Sequence, residues 1–165
     1  MKIVALSDLH IGKWNDYGIN LLDKAGKIGG DVLWLNGDII EPTVGVNEFE
    51  IFDKISDIGK YFNNVVWVAG NNCLELNCLS GPVINYAIEF GDILSKYNIH
   101  LLDRGSLNLG DYCLIGSIGW SNGALWSPSV LGGEHSNSVD SNQISAEKEF
   151  RRIFGRRWNR SSAEF

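Results

Sequence analysis

The segment VALSDLHIGKW, residues 4–14, carries an apolar run straight into Asp8 and His10, a carboxylate and an imidazole separated by one leucine. The same arrangement returns twice. DVLWLNGD (31–38) ends in Gly37-Asp38, and NVVWVAGNN (64–72) ends in Gly70-Asn71-Asn72. Short apolar runs bounded by polar residues or glycine read as buried strands. Between the first two lies YGINLLDKAGKI (17–28), with Ile19, Leu22 and Ile28 at rough helical spacing. Between the second and third, NEFEIFDKISDIGKYF (47–62) places Phe49, Phe52, Ile55, Ile58 and Phe62 at steps of three and four, with Asn47 as a cap. Apolar strands alternating with helices predict an α/β fold with a largely parallel inner sheet flanked by helices.

Further along, a helix is predicted from Val83 to Tyr97, opening just after Pro82, and IHLLDRG (99–105) reads as a strand and turn. SLNLGDYCLIGSIGW (106–120) reads as a hairpin turning at Gly110-Asp111. Residues 120–141, rich in Ser, Gly and Asn, are predicted to form a long loop, and residues 142–160 a basic amphipathic helix. No internal repeat or boundary breaks the chain, which reads as a single domain over 1–165.

Size and composition agree. The 165 residues (18.3 kDa) are 44% hydrophobic and 21% charged, ordinary globular values that exclude disorder. No apolar run approaches the ~18 residues that span a bilayer, so no membrane partner is expected. The N-terminus lacks a secretory layout, because Asp8 and His10 arrive too soon. Cys73, Cys78 and Cys113 are odd in number and lack zinc-type spacing, so free thiols in a reducing cytoplasm are expected. Residues 1–150 carry 9 Lys and Arg against 19 Asp and Glu, whereas 151–165 carry five Arg and one Glu. The body should repel nucleic acid, and the tail attract an anionic surface.

In an open parallel sheet, ligands bind beyond the carboxyl ends of the strands, which brings the three polar clusters to one rim. Their oxygen and imidazole donors suit Mn²⁺, Fe or Zn²⁺. Asp8-x-His10, Gly37-Asp38 and Gly70-Asn71, each after a strand and in this order, resemble the first three motifs of the calcineurin-like metallophosphoesterases. The resemblance covers about residues 1–120, with GSIGW (116–120) similar to a late strand of that fold. It implies a metallophosphoesterase sandwich and a pair of divalent metals. Asp8 and His10 would bind one metal, Asp38 would bridge both and Asn71 would bind the second. It further implies hydrolysis of a phosphate mono- or diester by metal-activated water.

The chain departs from the family pattern in two places. Asn72 stands where the family has a His that steadies charge or protonates the leaving group, and Cys73 replaces the acid that follows. The family's later His and its Gly-His-x-His are absent, so the domain reads as C-terminally shortened. The count leaves three protein ligands for the first metal but only Asp38 and Asn71 for the second, so one metal is expected to bind and the other weakly or not at all. His135, on the long loop, is the one residue able to reach the rim as a replacement; His100 reads as an ordinary strand residue.

Taken as residues alone, Asp8 and His10 read equally well as a turn carboxylate and a surface histidine, a reading that Asp38 and Asn71 at matching positions weigh against, whereas Asn72 reads more readily as a turn residue than as a site residue. Trp120 fits the core better than the rim. The leading function is a metal-dependent phosphoesterase. The alternatives are a binding or scaffold protein that keeps the fold without turnover, and a nuclease-type phosphodiesterase, which only the Arg-rich tail favours. An uncovered sheet edge would allow a homodimer.

Overall fold

In the computed structural model, residues 1–13, 16–43, 45–79 and 86–117 are described. The strands are β1 (Ile3–Leu6), β2 (Gly30–Asn36), β3 (Phe62–Val68) and β4 (Ile99–Leu101), with helices α1 (Tyr17–Ile28), α2 (Glu48–Gly59) and α3 (Tyr86–Ser95) between them. They form one parallel sheet in the order β1-β2-β3-β4. Register pairs Ile3 with Val32, Val32 with Asn64, and Val65 with Ile99. The predicted alternation of strand and helix is therefore present as a parallel α/β sheet.

Period-2 alternation splits the strand residues between two cores. Leu33, Leu35, Val65 and Trp67 face the helices, where they join Leu22, Phe52, Ile55, Phe90 and Leu94. The opposite residues Val32, Val66 and Val68 pack with Leu102 and Leu114 in a second cluster. Leu114 comes from an antiparallel hairpin, β5 (Gly105–Leu109) and β6 (Tyr112–Gly116), which forms its own two-stranded sheet. The hairpin turns where expected. Gly110 takes φ 67° and Leu109 pairs with Tyr112, the two-residue geometry that glycine favours. The described layers are thus helices, sheet and hairpin.

Asn47 caps α2 by accepting a hydrogen bond from Phe49 N at 3.2 Å. Two apolar positions differ from the helical reading. Ile28 and Phe49 are 54% and 48% exposed, because the buried stripe of α1 runs through Gly18, Leu22, Ala25 and Gly26, and that of α2 through Ile51, Phe52, Ile55 and Ile58. Phe62 belongs to β3. The predicted start of the third helix at Val83, the loop 120–141, the helix 142–160, Trp120 and His135 all lie outside the described residues. Among the described residues, no helix is long and apolar enough to cross a membrane.

Candidate metal centre

Beyond β1 the chain keeps pairing with the chain beyond β2. Asp8 N donates to Gly37 O (3.0 Å), His10 N to Asp38 O (3.0 Å), Ile11 N to Ile39 O (2.9 Å) and Glu41 N to Ile11 O (2.9 Å). Leu9, Ile11, Ile39 and Ile40 are buried, which leaves Asp8, His10 and Asp38 at the surface of this zipped pair of loops. All three polar residues sit in left-handed backbone, at φ 52°, 42° and 48°. Side chains seldom adopt that conformation, and local strain of this kind is kept where a site requires it.

The geometry brings the predicted residues together. One donor atom each from Asp8, His10 and Asp38 lies within 4.8 Å of the others, a spacing that fits a single cation. The third strand end closes the cluster. Asn72 N donates to Asp38 Oδ1 at 3.0 Å. Gly70 makes this approach possible, since a Cβ there would collide with Oδ1 and lie 2.6 Å from Asp38 N. Burial raises the Asp38 carboxyl above its usual range, opposed by the Asn72 N–H and by His10, and reinforced by Asp8 and Glu41. A clustered, partly desolvated set of acids is what a cation relieves.

A family profile for calcineurin-like phosphoesterases matches residues 1–157. The chain belongs to that family. Among solved structures, it is similar to a phosphopantetheinyl hydrolase from Mycobacterium tuberculosis at 18% identity and a TM-score of 0.56, covering 88% of this chain and 50% of that one. The chain thus spans about half the length of that hydrolase structure. No curated protein matches the sequence.

In this calcineurin-like phosphoesterase, Asn71 and Asn72 open a short 3₁₀ turn (Asn72–Glu75) directly beyond Gly70. Asn71 Nδ2 donates to Asn72 Oδ1 at 3.0 Å, so the two amides lie together beside the cluster. Asn72 is buried and more than a turn residue. Its Nδ2 donates to Glu41 Oε2 at 3.1 Å and lies 3.5 Å from His10 Nδ1. Cys73 points inward, fully buried. Its thiol accepts from Gly70 N at 3.4 Å and is pushed up to about 11 by burial, so it offers the cluster no thiolate at neutral pH. His100 stands exposed on β4.

Sequence reading missed two carboxylates. Glu41 lies 2.6 Å from His10 Nδ1 and 3.6 Å from Lys13 Nζ. Its signal was its place three residues after Asp38 with only buried isoleucines between, which turns both acids toward the rim. Glu48, 3% exposed at the start of α2, accepts from Asn77 N (2.6 Å), Asn77 Nδ2 (3.1 Å) and Cys78 N (2.7 Å). It fastens the segment after the 3₁₀ turn to the helix. No local pattern marks a carboxylate whose partners lie 29 and 30 residues away.

Proposed function

We propose that the chain is a metal-dependent phosphoesterase whose reaction is hydrolysis of a phosphate mono- or diester. The observation that carries this reading is the convergence of Asp8, His10 and Asp38 donor atoms within 4.8 Å, on strained backbone in the loops that follow β1 and β2. The donors fit one Mn²⁺, Fe or Zn²⁺ ion. Asp8, His10 and Asp38 would hold it, and Asn71 is the remaining donor offered toward a second. A divalent cation here supplies Lewis acidity that polarises a phosphoryl group and acidifies a water.

The chain's own groups do the positioning. The Asn72 backbone N–H holds the Asp38 carboxylate by one oxygen. The Asn72 side chain, at the family's acid position, offers amide hydrogens to stabilise charge but no titratable proton for a leaving group. Loss of general-acid help costs about 10²–10⁴ in rate, so turnover should be slow and favour substrates with acidic leaving groups. Three unpaired cysteines among the described residues fit a reducing, cytoplasmic setting.

The test is hydrolysis of p-nitrophenyl phosphate and bis(p-nitrophenyl) phosphate with added Mn²⁺. Turnover abolished by Asp38→Asn, and raised by Asn72→His, supports the enzyme. Asn72 also favours a second reading, a domain that binds metal and a phosphoester without turnover. Tight Mn²⁺ binding with no hydrolysis in either the wild type or Asn72→His would establish that one instead.

A further inference from the structure

The His10 ring is gripped from one side. Its Nδ1 lies 2.6 Å from Glu41 Oε2, and that same oxygen accepts the Asn72 amide at 3.1 Å. The other Glu41 oxygen faces Lys13 Nζ at 3.6 Å. The Glu41 and His10 side chains are 16% and 20% exposed, so water competes poorly for the contact. An ionised carboxylate can only accept, and an amide NH₂ can only donate. If Glu41 Oε2 accepts from both neighbours, the hydrogen shared with the ring sits on His10 Nδ1, and an imidazole with that one N–H keeps its lone pair on Nε2.

We propose that Glu41 is a positioning residue for His10: it holds the imidazole in the Nδ1–H tautomer so that Nε2 faces the cation, and Asn72 and Lys13 hold Glu41 in turn. This rests on the metal reading above and deepens it. The arrangement raises the basicity of the ligating nitrogen and fixes the ring plane, and loss of such a partner typically weakens metal affinity 10–100-fold. It also gives Asn72 a task that needs no proton transfer. The amide occupies one lone pair of the carboxylate and keeps it from swinging to solvent.

The experiment reads the tautomer directly. Long-range ¹⁵N–¹H NMR on the full chain, without metal and at alkaline pH, separates protonated from bare ring nitrogens. His10→Asn assigns the resonances. The wild type is expected to show Nδ1 protonated and Nε2 bare at position 10. Glu41→Ala is expected to shift this ring toward the Nε2–H form and to weaken Mn²⁺ or Zn²⁺ binding, measured by calorimetry, about 10–100-fold. Glu41→Gln, whose amide oxygen still accepts, should retain part of both. Should Glu41→Ala fail to fold by circular dichroism, the same two readouts on Glu41→Gln decide. A folded Glu41 variant with an unchanged tautomer and metal affinity within about twofold of wild type, well short of that loss, overturns the proposal. Failure of the metal reading shows separately, as a wild type that takes up no cation at all.

Discussion

Gly70→Ala is the sharpest perturbation of the centre, because it removes no donor atom yet displaces one. The added Cβ would stand 2.6 Å from Asp38 N and 2.7 Å from its Cγ, besides colliding with Oδ1. Reaching an ordinary contact of ~3.5 Å requires roughly 0.9 Å of movement. Neither side yields freely. Asp38 O is bonded to His10 N at 3.0 Å, and its neighbour Gly37 donates to Val68 O at 2.8 Å, so the peptide is held on two sides. Overpacking of this kind costs about 1–3 kcal/mol. Metal ligation tolerates only about ±0.2 Å, so the displaced Asp38 should weaken cation binding by more than the fold is weakened. The expected result is a melting temperature lowered by about 2–10 °C, with Mn²⁺ affinity reduced at least ~10-fold by calorimetry. Gly105→Ala is the control, since its nearest new neighbour is Asp103 O at 3.7 Å, an ordinary contact. If Gly70→Ala binds Mn²⁺ within about twofold of wild type and melts within about 1 °C of it, the close approach of strand end three to Asp38 is not what builds the site.

Other outcomes follow from the same coordinates. Gly91→Ala, inside α3 with only Leu101 Cδ2 at 3.9 Å, should stabilise by about 1 kcal/mol, raising the melting temperature about 2–4 °C; a fall would place an unrecognised contact there. Glu48→Ala strands the Asn77 and Cys78 N–H groups and should cost at least about 2 kcal/mol in urea unfolding, whereas a loss confined to a few tenths would make the clamp ornamental. The Asp38 carboxyl is raised from 3.8 in the folded state, so the native form holds that proton more tightly than the unfolded chain. Its contribution therefore declines as pH rises from 3.8 through the raised value. In EDTA, Asp38→Asn should melt above wild type at pH 7 (about three units above the ordinary carboxylate value), with the gain shrinking toward that value; a lower melting point at neutral pH would contradict the burial argument. Native protein should expose one fast thiol to Ellman's reagent at neutral pH, the exposed Cys113, with Cys73 buried and raised to about 11 and Cys78 also raised by burial and Glu48; a fast second thiol would show that the 3₁₀ turn opens.

Strand ends were legible because their signal is local: an apolar run must stop somewhere, and in a parallel sheet it stops where a ligand can bind. That logic put Asp8, His10, Asp38 and Asn71-Asn72 at one rim, and the main-chain pairing of residues 8–11 with 37–41 shows how the rim is assembled. The helical faces were legible in outline only. Ile28 and Phe49 carry the right chemistry at rough helical spacing, yet both lie at helix ends off the buried stripes, which run through Leu22, Ala25 and Gly26 in α1 and through Ile51, Phe52, Ile55 and Ile58 in α2. Glu41 and Glu48 were harder to read. Glu41 had only its place three residues after Asp38 as a signal and Glu48 had none, because the partners of each are donors brought near by folding, 29 to 31 residues away.

The same contrast bears on how the centre works. Motif residues place the donors, but three of them stand on backbone that costs free energy to hold, about 1–3 kcal/mol each. The compensation comes from groups outside the motifs. Buried Leu9, Ile11, Ile39 and Ile40 anchor the strained loops into the core, and Glu48 ties down the segment that presents Asn72. Substitutions at those apolar anchors should therefore weaken metal binding without touching a ligand, since a loop freed to relax would return Asp8, His10 and Asp38 to ordinary backbone and spread their donor atoms apart.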